Sequence, residues 1–203
     1  DNIRINNVTE AMEQMIADGI TEVIVQPTHV INGIENDLMK EDALAFKNRF
    51  ERITFGDPLL TTQQDHVEIV NAICQEISNL PADCALILMG HGTSHYANDV
   101  YAALDYRFKD LGFSNIHLAT VEGYPTLENV TRMVKEQEAK KVILAPFMIV
   151  AGDHARNDMS GDDEDSWKNQ FRAAGYDVEC RMKGLGEYPA IQDMLIRHVT
   201  EVC

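Results

Sequence analysis

One internal similarity constrains this chain more than its composition does. Val23-Ile24-Val25-Gln26-Pro27 reappears as Val142-Ile143-Leu144-Ala145-Pro146, and the same offset of 119 carries Gly33 onto Gly152 and a helix-like start at Val8 onto Leu127. An offset held across a helix, a strand, a proline and a glycine marks two related α/β halves. Short Val/Ile-rich runs alternate with helix-period segments, the pattern of a parallel sheet covered by helices. Strands are expected near 22–28, 52–55, 85–91, 116–121, 141–150 and 177–182. Helices are expected over 8–17, 38–50, 65–78, 98–111, 127–136, 166–173 and 189–202. The expected fold is α/β with two similar lobes, 1–81 and 82–203, each a parallel sheet flanked by helices, the last helix able to pack back on the first lobe. The second half has a strand, helix and strand between about Cys84 and Val121 with no counterpart in the first. The first lobe is therefore expected to lack an N-terminal βαβ unit, and a start at Asp1 without methionine fits a fragment or processed chain.

In an open α/β sheet, ligands bind beyond the carboxyl ends of the strands. Three successive strands of the second half run into a potential metal ligand: Met89-Gly90-His91-Gly92-Thr93, Val121-Glu122-Gly123-Tyr124-Pro125 and Val150-Ala151-Gly152-Asp153-His154. If these strands are adjacent and parallel, two imidazoles and one carboxylate face one cleft. The neighbouring glycines permit tight turns and close ligand approach. Two histidines and a carboxylate suit Co, Ni, Fe or Zn, and an incomplete protein shell leaves positions open for exchange.

Plainer roles compete. A strand-end histidine also caps loops or bonds carbonyls, an even alternative for His91 taken alone. Helix initiation explains His95 as well as ligation does. His29 reads as a strand residue in core or cleft, and His66, His117 and His198 as surface or helix residues; none of these four is assigned to metal. Asp153 and Asp158 flank His154, where an acid can orient an imidazole or simply serve a turn. The acidic run 161–167 either attracts cations or feeds the following helix as a solvated loop. Phe147, Met148 and Met159 can pad a flat macrocycle, with core packing favoured for Met148.

Other chemistries are excluded. The chain contains no GxxxxGK[ST], GxSxG, HExxH or GxGxxG motif, which argues against nucleotide use, hydrolysis and dinucleotide binding. Its 33 acidic residues against 17 Lys and Arg give a net charge of -16. Such a balance disfavours nucleic acid and anionic membranes. No apolar run reaches the length of a membrane helix. Cys74, Cys84, Cys180 and Cys203 lack CxxC spacing, so inert thiols are the default. The cytoplasm is the default compartment, and the periplasm the alternative if a signal was removed.

At the three strand ends the sequence resembles the anaerobic cobalt chelatases, the CbiK-type sirohydrochlorin cobaltochelatases related in fold to ferrochelatases. The likeness is carried by Met89-Gly90-His91-Gly92-Thr93, by Val121-Glu122-Gly123-Tyr124-Pro125 and, with most specificity, by the run from Val150 through Gly152-Asp153-His154-Ala155-Arg156-Asn157-Asp158-Met159 to Asp162. Gln26-Pro27-Thr28-His29-Val30-Ile31-Asn32-Gly33-Ile34-Glu35 matches in the first half. The resemblance implies two chelatase-like lobes with a tetrapyrrole between them, metal on His91, Glu122 and His154, and ATP-independent insertion of Co2+ into sirohydrochlorin in cobalamin (porphyrin-type) biosynthesis, a lyase reaction. It also implies a homo-oligomer. Ni2+, Fe2+ and Zn2+ are alternative metals, and no nucleotide, nucleic acid or membrane partner is expected.

Metallation removes two pyrrole protons while M2+ passes from protein to ring nitrogens, and a neutral imidazole suits either task. His91, His154 and Glu122 are the expected catalytic residues, with Glu35, Gly92, Thr93 and Tyr124 contacting the tetrapyrrole. Glu35 aligns with His154 under the repeat and is expected to face the cleft from the other lobe. A polycarboxylate substrate would need local cations such as Arg156 or Lys183 at the entry. The rival readings are a haem- or iron-directed chelatase and a non-catalytic tetrapyrrole- or metal-binding protein.

Overall fold

A computed structural model describes residues 4–76, 80–81 and 83–203. In chain order its main elements are α1 (Val8–Ala17), β1 (Glu22–Val25), α2 (Ile34–Leu44), β2 (Arg52–Phe55), α3 (Gln63–Glu76), β3 (Cys84–Gly90), α4 (Asp99–Asp110), β4 (Ile116–Thr120), α5 (Leu127–Glu136), β5 (Lys141–Pro146), α6 (Trp167–Ala173), β6 (Asp177–Cys180) and α7 (Pro189–Thr200). The strands form two parallel sheets, β1-β2 and β4-β3-β5-β6. The fold class is therefore α/β with helix-flanked parallel sheets, the first of two strands and the second of four.

The repeat survives as structure. Helices α1 and α5 have the same length and open on matching caps, Asn7 with Glu10 and Thr126 with Asn129, in which each side chain bonds the other residue's amide. The correspondence runs through β1 and β5, then slips: β2 and β6 start 125 residues apart, because the second half inserts a longer loop before α6.

Side chains of β3 alternate between two cores, as a strand covered on both faces must. Leu86 and Leu88 join Ile69 and Ile73 of α3, Leu104 and Phe108 of α4, and Ile191 of α7. Ala85, Ile87 and Met89 join Val130, Val134, Trp167 and Phe171 on the other face. A smaller core holds Met12, Val23, Ala43 and Phe50. Helix α7 lies on α3, so the end of the chain packs against an element that precedes the second sheet.

Several boundaries differ from expectation. The helix expected over 38–50 is α2, ending at Leu44 and followed by a separate turn at Lys47–Arg49. It starts early because Gly33 opens it and Glu35 and Asp37 complement the positive end of its dipole. Strand β1 stops before Pro27, which cannot donate to a ladder, and β5 stops at Pro146 rather than 150. The expected end of the third helix at residue 78, and residue 82 at the lobe boundary, lie outside the described residues. Among the described residues no helix is long and apolar enough to cross a membrane.

Candidate metal centre

Strand β3 is flanked by β4 on one side and β5 on the other, although β4 precedes β5 in the chain. This reversal of direction is where parallel sheets open a crevice at their carboxyl ends. His91 follows β3 directly, and the ladder to β4 continues beyond the strands: the Val121 amide donates to Gly90 at 3.1 Å and the Glu122 amide to His91 at 2.9 Å. His91 and Glu122 are thereby held side by side. Gly92 has φ +84, and a Cβ there would stand 2.6 Å from the Gly123 nitrogen and 2.7 Å from Thr120 Cβ, so both conformation and space demand glycine.

His154 arrives by a different device. After β5 the chain is pinned by the Leu185 amide on Met148 (2.7 Å) and the Gly186 amide on Ile149 (2.9 Å). It then enters a helical turn that widens to π-type geometry over Ala155–Met159. Single π-type turns recur at functional sites. Here the turn follows His154 and includes Asp158, whose Oδ2 lies 2.5 Å from His154 Nδ1.

The hydrogen bonds settle which nitrogens are free. His91 Nδ1 lies 2.8 Å from the Gly92 carbonyl, which can only accept, so Nδ1 carries the proton. A carboxylate likewise holds the proton on His154 Nδ1. Both Nε2 lone pairs remain available to a metal, an orientation that outer carboxylates and carbonyls commonly enforce. The two rings stand edge to face at 81° with centroids 4.8 Å apart.

The structure brings His91, Glu122 and His154 together, one ligand atom from each lying within 4.8 Å of the others. An ion can be placed within about 2.8 Å of all three atoms, against about 2.0–2.2 Å for a Zn-type bond to N or O. Three donors at this spacing could hold an ion by closing slightly, with the rest of its coordination sphere open.

Beside them lies a cavity of about 440 Å³. One wall is built from Gly92, Thr93, Tyr101, Phe147 and Met148 with the two histidines; the other comes from Thr28, His29, Val30, Ile31 and Glu35 of the first half. Glu35 thus lines the same cavity as the two histidines. Tyr101 is buried, and burial pushes its phenol up to about 12, a rise tempered by a backbone hydrogen bond with Gly92 and reinforced by Glu35. No local signal in the sequence marks Tyr101, which sits on the apolar face of α4.

Other expected residues fall elsewhere. Tyr124 is 57% exposed and does not line the cavity. His29 lies in the loop beyond β1 and lines the cavity. Met148 faces the cavity whereas Met159 is buried in the second core, the reverse of their expected roles. His95 caps the turn Tyr96–Asn98, its Nδ1 accepting from the Ala97 amide at 3.2 Å. His66, His117 and His198 are all buried, His117 on a strand. The acidic run 161–167 feeds α6, Ser166 capping it and Asp162 pairing with Lys168. Neither Arg156 nor Lys183 lines the cavity; Lys183 lies over the Tyr188 ring and 3.3 Å from Glu76.

Comparison with known proteins places the chain in a family. The family model described as cobalt chelatase (CbiK) matches residues 1–203. A sirohydrochlorin cobaltochelatase of Salmonella typhimurium is 37% identical over 199 residues, covering 98% of this chain and 75% of that protein. Sirohydrochlorin cobaltochelatase CbiKC of Nitratidesulfovibrio vulgaris is 32% identical over 201 residues, covering 96% and 70%. SirB from Bacillus subtilis with Fe3+ shares the fold, with TM-score 0.66 at 13% identity over 98% of this chain and 78% of SirB. SirB from Bacillus subtilis subspecies spizizenii in complex with cobalt gives 0.65 at 13% identity, over 98% and 77%. By its full-length family match and these identities, the chain belongs to the CbiK cobalt chelatase family.

Proposed function

We propose that this protein is a sirohydrochlorin cobaltochelatase, inserting Co2+ into the metal-free tetrapyrrole without nucleotide. The observation that carries the reading is the pair of histidines, each with its Nδ1 already bonded, grouped with Glu122 beside a cavity with apolar walls. His91, Glu122 and His154 hold the metal; Gly92 and Thr93 form the floor of the tetrapyrrole site, Tyr124 flanks it, and Glu35 closes the opposite wall.

The reaction exchanges two pyrrole protons for one divalent ion. The ring binds with its nitrogens toward the histidines, Co2+ moves from the imidazoles to the ring nitrogens, and an imidazole relieved of the metal accepts one proton. Glu35 or Glu122 takes the second. The surrounding carboxylates, Glu35, Asp153 and Asp158 among them, give the cleft a negative field that concentrates the cation.

The test is incubation of purified protein with metal-free sirohydrochlorin and Co2+, followed by absorbance. Many turnovers per protein support the reading; a stoichiometric complex without turnover overturns it in favour of a binding protein. Parallel runs with Ni2+, Fe2+ and Zn2+ rank the metals, which intrinsic affinity alone does not decide. The same reading takes 1–81 and 82–203 as two lobes around the cleft, supported by their separate sheets, and includes homo-oligomeric assembly in the cytoplasm, checked by sedimentation and fractionation.

A further inference from the structure

Two of the three ligand loops are tied to each other by a residue that touches no metal. Asn98 stands at the start of α4, where asparagine ordinarily turns its side chain back onto the first helical amides. Here it makes no such cap bond. Its Oδ1 instead accepts from the Thr93 amide at 3.0 Å, and its Nδ2 donates to the Tyr124 carbonyl at 2.6 Å. Thr93 lies two residues beyond His91, and Tyr124 two residues beyond Glu122. We propose that Asn98 is a positioning residue that fixes the separation of His91 and Glu122, an inference that rests on the ligand set proposed above.

The chemistry requires this residue type. One planar amide presents an acceptor and a donor at a fixed spacing, whereas aspartate offers no donor for the Tyr124 carbonyl and alanine offers neither group. The residue is buried, 7% exposed, so water does not replace a lost partner. The loops have no slack around it. A Cβ on Gly123 would come within 2.3 Å of Asn98 Oδ1, and one on Gly92 within 2.6 Å of the Gly123 nitrogen. Glycines at 92 and 123 let the two loops close onto this amide.

The experiment is Co2+ titration of the full chain by calorimetry, with the visible bands of bound Co2+ and thermal melts recorded for each variant. Asn98→Ala and Asn98→Asp are expected to weaken Co2+ about 10- to 100-fold, the usual effect of removing an outer partner of a metal site. Their Co2+ bands should move toward those of Glu122→Gln. Leu104→Ala, a buried control on the same helix, should lower the melting temperature while keeping affinity within about twofold of the parent. In a Glu122→Gln background, Asn98→Ala should cost no more than about threefold further, since the ligand it holds is already gone. An undiminished loss in that background, or an equal loss of affinity from Leu104→Ala, overturns the inference and leaves the ligand set intact. Unchanged affinity in Glu122→Gln alone removes Glu122 from the site, which refutes the underlying reading and the inference with it.

Discussion

Asp65→Ala should destabilise the fold severely while leaving metal binding intact. Asp65 is fully buried at the start of α3 and bonds Arg197 at 2.7 Å and His198 at 3.0 Å, both on α7. Its second oxygen accepts from the Thr62 amide at 2.7 Å and hydroxyl at 2.8 Å, and Thr62 caps the Asp65 amide in return. Burial alone would raise this carboxyl, but the bonds from Arg197, the Thr62 amide, His198 and the Thr62 hydroxyl outweigh it and hold it far below the ordinary carboxylate range. Removing one partner of a buried ion pair costs about 3–5 kcal/mol, and the lower end applies because Arg197 keeps 28% of its side-chain exposure. Losing the cap adds about 1 kcal/mol. A total near 4 kcal/mol corresponds to roughly 8–16 °C in Tm for a chain of this size. Circular-dichroism melts at pH 7 measure it, and a shift under about 2 °C would refute the account. Co2+ affinity at 25 °C should stay within about twofold, because the ligand loops leave the second sheet and not α3. The acid limb gives an independent check. A depressed carboxylate stabilises above its unfolded pKa near ~3.9 and loses that contribution as pH falls through the folded value, so the gap between parent and Asp65→Asn should be flat from pH 8 to 5 and shrink below about 4.

His154→Ala and His91→Ala should each abolish multiple turnover with melts close to the parent; unchanged turnover from either removes that residue from the ligand set. Asp158→Ala should weaken Co2+ about 10- to 100-fold by freeing the His154 ring, and Co2+ titration with no change would dismiss its orienting role. His117 has its imidazole pushed down by burial and by the neighbouring Lys109, so the fold disfavours its charged form. The unfolded chain therefore binds more protons below about pH 6.5, stability falls on acidification there, and His117→Asn should flatten that limb of a melt-versus-pH series. Among the thiols, burial lifts Cys74 to about 11 and also raises Cys180 and Cys84, whereas Cys203 is exposed. A thiol reagent at pH 8 should modify Cys203 first, and rapid reaction of Cys74 would contradict the packing.

Much of this was legible in the chain because it is written in local periods. The alternation of strand and helix, the starts of α1 at Val8 and α5 at Leu127, and the positions of His91 and Glu122 just beyond strand ends follow from propensity and spacing over a few residues. The repeat extended that reading, since Glu35 and His154 correspond under its offset and do face one cavity. Sequence alone did not place β3 between β4 and β5, and only that order sets the three ligands side by side. Strand pairing joins residues far apart in the chain, so no local pattern encodes it. The inward turn of His66, His117 and His198 was hidden for the same reason: their partners, Asp65 and Asp57 for His198 and Lys109 and Gln137 for His117, sit on distant elements or on the far side of a turn. The π-type turn that brings Asp158 to His154, and the amide of Asn98 between two loops, exist only once packing has fixed the backbone. A histidine, an aspartate and an asparagine carry no mark of such roles until tertiary structure supplies the neighbour each one bonds.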